Sequence, residues 1–115
     1  MLANTLIFVV AAIHIYILIL EMFLWESKTG RRAFGLSASF ARETRVMAAN
    51  QGLYNGFLAA GLLWGLWSPE CFEFKAFFLI CVVIAGLFGA ATASRKILYV
   101  QALPATVALI ALYVT

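Results

Sequence analysis

Charged residues are scarce in this sequence. Asp, Glu, Lys and Arg make up 11% of its 115 residues, whereas about a quarter is usual for a soluble domain. Apolar residues make up 65%, and the interior of a soluble chain this short is too small to bury so much apolar material. The composition therefore argues against a soluble domain and predicts a protein whose solvent is lipid.

Histidine and cysteine are also scarce, which limits metal and disulfide chemistry. Cys71 and Cys81 are separated by mostly helical chain, which spans roughly 15 Å along a helix axis. A disulfide needs α-carbons within about 7 Å, so we expect no internal bridge. Neither cysteine has metal-ligand spacing with His14, the only histidine, and we expect no zinc or haem site within one chain.

Long apolar runs, by contrast, fill most of the chain. A helix needs about 20 apolar residues to cross the hydrocarbon core, and backbone polar groups in lipid favour helices over open strands. We predict an all-α membrane protein, an antiparallel bundle of four transmembrane helices that forms a single domain over residues 1–115. The four windows are residues 3–25, 46–67, 76–94 and 97–114.

The first window does not have the pattern of a cleaved signal peptide. It lacks a basic start, and His14 and Glu21 lie within its apolar run. No small-residue cleavage pattern follows it. We therefore predict that the window is a retained membrane span.

Basic residues are distributed unevenly between the two sides of the predicted bundle. Seven basic residues lie in two loops, one between the first and second windows and one between the third and fourth. Lys75 alone lies on the opposite side. Because Lys and Arg accumulate in cytoplasmic loops, we predict a multi-pass protein of the inner (plasma) membrane with both termini on the non-cytoplasmic side. No basic–aromatic pattern indicates a nucleic-acid partner, although the first loop is suited to contact anionic lipid headgroups. The seven are Lys28, Arg31, Arg32, Arg42, Arg45, Arg95 and Lys96.

Small residues recur every four positions in the second and third windows. This spacing lets helices approach closely in membranes. The stripes pack helices within one chain or, alternatively, one of them forms a subunit interface in a homo-oligomer. They consist of Gly52 with Gly56, Gly61 with Gly65, and Ala85 with Gly89 and Ala93.

Polar side chains interrupt the apolar windows, and such residues usually face a bundle interior or a cavity. Apart from His14, near the predicted midplane, they fall in the cytoplasmic half of the bilayer. The sequence therefore predicts a polar pocket that opens toward the cytoplasm, with His14 at its floor. The alternative is that these groups only hydrogen-bond one another between helices. The candidate ligand-binding residues in the windows are His14, Glu21, Asn50, Gln51, Tyr54, Asn55 and Gln101.

Helical spacing places several of these candidates on shared faces. His14 and Glu21 share a face but lie roughly 10 Å apart along the axis, so each needs a partner on another helix or a ligand. Gln51 and Asn55 are four residues apart and therefore share a helical face. Asn50 and Tyr54 share another face for the same reason.

Several runs resemble an uncharacterised family of small bacterial membrane proteins with four predicted helices, the domain of unknown function thirteen-oh-four. The resemblance lies in the run NQGLYN at residues 50–55, together with His14 and Glu21. It extends to the runs AGLFG at residues 85–89 and QALP at residues 101–104. The resemblance covers essentially the whole chain and implies no activity.

The runs RRAFGLS at residues 31–37 and FARETR at residues 40–45 also resemble, more distantly, the MAPEG superfamily of membrane glutathione transferases and leukotriene-forming synthases. Those proteins are trimers of four-helix subunits. The resemblance implies that Arg31, Arg42 and Arg45 hold glutathione carboxylates by charge-assisted bonds, with Asn50 as an amide contact.

Three functions of different classes follow. The first is binding of a small amphipathic ligand, such as a lipid, a quinone or a hydrophobic metabolite, in the polar pocket. The second is a glutathione-dependent membrane enzyme, as the MAPEG resemblance implies. The third is transport of protons or small solutes, with Glu21 and His14 as titrating groups. Transport requires an oligomer because four short helices are too few for a pore.

Overall fold

The computed structural model describes residues 1–68 and 70–115, which form an all-helical chain. This confirms the predicted fold class at the level of secondary structure. Five α-helices and one π-helical turn are present in the described residues. They are α1 (Leu2–Met22), α2 (Lys28–Phe34), α3 (Ala38–Trp67), α4 (Phe72–Thr92), the π-helical turn (Leu98–Ala102) and α5 (Leu103–Val114).

Helices α1 and α4 are long and apolar enough to cross a membrane. Each has 21 residues and is therefore about 31 Å long, which matches a hydrocarbon core of about 30 Å. The apolar segment Leu98–Val114 is shorter. Helix α3 is longer, at 30 residues, but polar side chains in its middle lower its hydropathy. By length and composition, α1 and α4 favour membrane association.

The first two windows differ from the helices at one end each. Helix α1 ends at Met22 because the amides of Phe23 and Leu24 both bond to the Ile19 carbonyl, at 3.0 and 3.1 Å. Helix α3 begins at Ala38, well before the window at residues 46–67, and the Ser37 hydroxyl accepts the Phe40 N–H at 3.2 Å. A hydroxyl in this position is a standard helix N-cap. The region between the first two predicted windows is therefore mostly helical.

The described chain forms two compact units. Unit 1 comprises Met1–Ile13 and Leu58–Thr115, and unit 2 comprises His14–Phe57. The core of unit 1 is apolar, and α1, α3, α4 and α5 all contribute to it. The core residues are Ile7, Val10, Ala11, Leu62, Leu79, Val82, Ala105 and Ala108.

The fourth window contains an irregularity in front of Pro104. Proline lacks an N–H, and its ring displaces the carbonyl of the residue four positions earlier. The chain widens here into the π-helical turn, in which the Leu103 N–H bonds back to the Leu98 carbonyl. Gln101, a predicted ligand-binding residue, lies half-buried in this turn.

Candidate functional site

Two glycines allow α1 and α3 to approach closely in unit 2. A β-carbon on Gly52 would lie 2.6 Å from Met22 Cγ and 3.1 Å from Glu21 Cβ. A β-carbon on Gly56 would lie 2.7 Å from Leu18 Cδ1. Such distances are below van der Waals contact, so the side-chain-free positions bring the two helices together. The Gly52–Gly56 stripe therefore packs helices within one chain.

A buried carboxyl and a buried amide meet at this contact. Glu21 is 8% exposed and Asn55 is 7% exposed. Asn55 Nδ2 donates one hydrogen bond to Glu21 Oε1 at 2.7 Å and another to the Gln51 carbonyl oxygen at 3.3 Å. Burying a polar group is costly unless it is hydrogen-bonded, and both amide hydrogens are used here. The second carboxyl oxygen, Glu21 Oε2, has no hydrogen-bond partner within residues 1–68 and 70–115.

Glu21 lines an open cleft of about 370 Å³ at the end of α1. The lining combines apolar side chains with three charged ones, so the cleft is itself amphipathic. The apolar part includes Met22 and Val46, and the charged part is formed by Glu21, Glu26 and Arg45. The full lining is Glu21, Met22, Phe23, Trp25, Glu26, Ser27, Arg45, Val46 and Ala49.

Polar contacts between the end of α1 and the start of α3 hold the rim of the cleft. The Trp25 indole Nε1 donates to Thr44 Oγ1 at 3.0 Å, and that hydroxyl donates to the Phe40 carbonyl at 2.7 Å. Arg45 pairs with Glu26 at 3.5 Å. Their side chains are 63% and 43% exposed, so the ion pair adds little stability. The indole bond is the better-shielded contact.

A tight turn fixes α2 against the end of α1. Ser27 Oγ accepts the Gly30 N–H at 3.2 Å and donates to the Leu24 carbonyl at 2.6 Å. A β-carbon on Gly30 would overlap the Leu24 carbonyl oxygen and would lie 2.8 Å from its carbon. The Trp25 ring also packs on Phe34, with ring centroids 4.9 Å apart. The position of α2 is thus determined by a cap, a glycine and an aromatic pair.

Comparison with known proteins supports the family predicted from the sequence. The family model described as "Protein of unknown function (DUF1304)" matches residues 8–113. The chain belongs to this family. A curated relative, "Uncharacterized protein YpaA" from Lactococcus lactis subsp. lactis (strain IL1403), is 34% identical over 104 residues, which cover 88% of this chain and 87% of the relative. No solved structure matches significantly.

These matches confirm the predicted DUF1304 membership and carry no activity with them. Neither the family model nor the relative is described as a glutathione transferase or a synthase. The MAPEG resemblance therefore stays a hypothesis that rests on the arginine-containing runs alone.

The predicted site residues of this DUF1304 chain fall into two groups. Three of them meet at the α1–α3 contact, because Gln51 contributes its backbone carbonyl to the Glu21–Asn55 pair. Arg45 lies on the rim of the adjoining cleft. His14 is completely buried.

Among the predicted residues, only Glu21 and Arg45 line the cleft. The candidates named next belong neither to the cleft lining nor to the contact between Glu21 and Asn55. Asn50 and Tyr54 are exposed on α3, and the Tyr54 ring packs on Phe57 with centroids 5.9 Å apart. Arg42 is exposed in the first turns of α3. Arg31 is half-buried on α2, and its Nε is buried without a hydrogen-bond partner in the described part of the chain.

Sequence reasoning missed part of the cleft. Trp25, Glu26 and Thr44 were not among the candidate residues, although Trp25 and Glu26 line the cleft and Thr44 bonds to the Trp25 indole. The available signals were the two serines that cap α2 and α3, since a cap identifies a helix where hydropathy indicates only a polar loop. Once both helices are recognised, the turn between α1 and α2 becomes a defined structure.

Lys75 also differs from its predicted environment. It lies in the first turn of α4, is 7% exposed, and donates from Nζ to Asn4 Oδ1 at 3.0 Å. The sequence reading assigned it to a loop on the non-cytoplasmic side. In this DUF1304 chain it is a buried structural contact within unit 1.

Proposed function

We propose that this protein is a multi-pass membrane protein that binds a small amphipathic ligand in the cleft beside Glu21. The observation that carries the proposal is Glu21 itself. It is a nearly buried carboxylate in a largely apolar helix, and a hydrogen bond from Asn55 engages one of its two oxygens. Ionisable groups at membrane depth are costly and usually functional.

The lining of the cleft defines the ligand chemistry. Glu21 is an acceptor, so it favours a head group that donates hydrogen bonds, such as an amine or a hydroxyl. Met22, Phe23, Val46 and Ala49 offer an apolar surface to the remainder of the ligand. A molecule with a donor head and a short apolar body fits both parts.

The proposed topology has four spans with both termini on the non-cytoplasmic side of the inner membrane. In this proposal the spans are α1, residues 46–67 of α3, α4 and the segment Leu98–Val114. Two of them, α1 and α4, are long and apolar enough to support it directly. The uneven distribution of Lys and Arg supports this orientation.

Thiol labelling in cells tests the topology at the two ends of α4. Glu73→Cys and Ser94→Cys are each introduced in a Cys71→Ser, Cys81→Ser background, because both positions are exposed. With a membrane-impermeant maleimide, intact cells should label the Glu73→Cys protein, and permeabilised cells should label both. Labelling of the Ser94→Cys protein alone in intact cells would reverse the orientation, and labelling of both would remove α4 as a span.

Photo-crosslinking tests the ligand proposal. Twelve-carbon probes carry a diazirine in the tail and an amine, an alcohol or a methyl ester as head, and are crosslinked to the protein in nanodiscs. We expect the amine and the alcohol, but not the ester, to label peptides that contain residues 22–27 and 45–49. Peptide mapping separates cleft labelling from general partition into the bilayer.

Glu21→Gln provides the site-specific comparison, and Glu43→Gln, on the exposed surface of α3, is the matched control. Hydrogen bonds to a charged group are worth about 1.5–3 kcal/mol, so Glu21→Gln should weaken amine labelling roughly 10- to 100-fold. Glu43→Gln should leave it unchanged. Equal labelling of all three proteins would refute the proposal.

A second candidate is a glutathione-dependent membrane enzyme. Arg31 supports it, because its buried Nε has no hydrogen-bond partner among residues 1–68 and 70–115, and a carboxylate is the usual partner of a guanidinium. Native mass spectrometry with added glutathione tests this candidate. A trimer that binds glutathione, and loses it on Arg31→Lys, would favour the enzyme, whereas indifference to glutathione would eliminate it.

A further inference from the structure

A second depression lies on unit 2, apart from the cleft beside Glu21. It has a volume of about 300 Å³ and is lined by Tyr16, Lys28, Thr29, Arg32 and Ala33. None of these residues lines the first cleft. The two depressions are therefore separate features with different chemistry.

The lining of the second depression consists mainly of hydrogen-bond donors. Lys28 and Arg32 are four positions apart on α2, so they share one helical face. Thr29 and Tyr16 add hydroxyl groups beside them. No acidic residue lines the depression. Two cations with two hydroxyls form a surface that complements an anion with several oxygens, such as a phosphate.

The two cations differ from Arg45 in their pairing. Arg45 is offset by Glu26 at 3.5 Å. Lys28 and Arg32 have no ion-pair partner in the part of the chain that the structure describes. Their positive charge is exposed and uncompensated, so it is available to a ligand from outside the chain.

The location of the depression indicates what carries the phosphate. Helix α2 is held against the end of α1 by the Ser27 cap and by Gly30. Tyr16 lies six residues before the end of α1 at Met22, or about 9 Å along the helix axis. The depression therefore runs from the end of a candidate membrane span toward its interior. At the end of a span, where α2 lies, the phosphates of a bilayer are those of its lipid headgroups.

We propose that this depression binds the phosphate headgroup of an anionic phospholipid. Lys28 and Arg32 hold the phosphate by charge-assisted hydrogen bonds, and the hydroxyls of Tyr16 and Thr29 donate to its oxygens. The site rests on the membrane placement of α1. It does not depend on ligand binding in the cleft beside Glu21, since the two share no lining residue.

The test uses the full-length protein in nanodiscs made of equal amounts of phosphatidylglycerol and phosphatidylcholine. Native mass spectrometry after gentle release counts the lipids that remain bound. Wild-type protein should retain phosphatidylglycerol in preference to phosphatidylcholine. The double variant Lys28→Gln, Arg32→Gln should lose this retention by roughly five-fold per charge, or about 25-fold in total.

A matched control removes two charges elsewhere on the same predicted side. Arg95→Gln, Lys96→Gln makes the same change in net charge, and both side chains are exposed and distant in sequence from α2. It should retain phosphatidylglycerol as wild type does. Tyr16→Phe removes one hydroxyl without altering charge and should weaken retention about five-fold, corresponding to one ordinary hydrogen bond.

Several outcomes would overturn the site. Equal losses in the two double variants would show diffuse attraction to the membrane surface, and equal retention of both lipids would show no headgroup recognition. Displacement of the lipid by millimolar inorganic phosphate would assign the site to a free anion. Unchanged retention in Tyr16→Phe would contradict the site as proposed, because the Tyr16 hydroxyl is one of its donors. Glu21→Gln should keep phosphatidylglycerol, which separates this experiment from the test of the cleft.

Discussion

The two compact units of this chain differ in the residues that they bury. In unit 1 the buried positions are almost all apolar, and Lys75 is their one charged member in the described residues. In unit 2 the buried positions include His14, Glu21 and Asn55. Close packing at glycines occurs in both units, and Gly86 approaches the Ala102 backbone in unit 1. The buried polar groups are what distinguishes the interior of unit 2.

This difference indicates where function is to be sought. Buried polar groups do not improve packing and are costly to bury, so their concentration in one unit suggests selection for something other than stability. The cleft beside Glu21 and the basic depression on α2 both belong to that unit. Substitutions can test whether the two units respond as differently as their interiors suggest.

The largest effect is expected in unit 2 from Gly30→Ala. The new methyl group would overlap the Leu24 carbonyl oxygen, and backbone atoms cannot move aside as a flexible side chain can. We expect a loss of about 3 kcal/mol in the free energy of unfolding, at the upper end of overpacking effects. Denaturant titration in detergent, followed by circular dichroism, measures it.

Gly35→Ala is the control for this substitution. Gly35 has a φ of 67° and nothing near its missing β-carbon. Its replacement should therefore cost only the left-handed backbone term of about 1 kcal/mol. Equal losses at the two glycines would mean that the contact between Gly30 and Leu24 does not hold α2.

The packing of unit 1 is tested by Leu79→Ala. Leu79 is completely buried, and its truncation leaves a cavity whose lining loses dispersion contacts. We expect a loss of about 2.5 kcal/mol. Leu87→Ala on the same helix, where the side chain is 52% exposed, should change stability by less than about 0.5 kcal/mol. Similar losses in the two variants would contradict the assigned core.

The polar contact of unit 2 is tested by a double-mutant cycle on Glu21 and Asn55. Asn55→Leu leaves the buried carboxyl without its donor and should cost about 2 kcal/mol. The double variant Glu21→Leu, Asn55→Leu should recover most of this loss, because replacing both partners by apolar groups is often neutral. Trp25 fluorescence in a Trp64→Phe, Trp67→Phe background reports on unit 2 alone. Additive losses would exclude coupling between the two residues.

The smallest effect is expected from Glu26→Gln. Its ion pair with Arg45 is 3.5 Å long and both side chains are substantially exposed, so solvent screens the interaction. The change in unfolding free energy should be below about 0.5 kcal/mol. The same fluorescence measurement detects it. A loss above about 1 kcal/mol, twice the expected limit, would show that the rim is more rigid than its exposure suggests.

Hydropathy predicted the helices well where the ends of an apolar run coincide with the ends of a helix. The windows at residues 76–94 and 97–114 correspond to α4 (Phe72–Thr92) and to the segment Leu98–Val114. The first window extends too far because Phe23 and Leu24 are apolar without being helical. The second window begins too late because the start of α3 is polar. It forms the hydrogen bonds of a helix, but its hydropathy is too low for an apolar window to include it.

The candidate site was predicted only in part, for a related reason. Glu21 and Asn55 were recognisable because polar residues in apolar runs are conspicuous. Their pairing was not, since they are 34 positions apart and no periodicity links two helices. Lys28 and Arg32 were interpreted as a topology signal and as part of a loop suited to contact anionic lipid headgroups. The depression that distinguishes them from Arg45 depends on the fold.

The sequence by itself determined that the chain is helical, that α1 and α4 are apolar enough to cross a membrane, and to which family it belongs. The first two properties follow from composition and from hydrogen bonds between residues four positions apart, and the third follows from similarity of the sequence over most of the chain. The tertiary structure alone decided that Asn55 meets Glu21, that α2 packs against the end of α1, and that Lys75 is buried against Asn4. Each of these contacts joins residues on different elements, and its geometry depends on helix packing that no local pattern encodes.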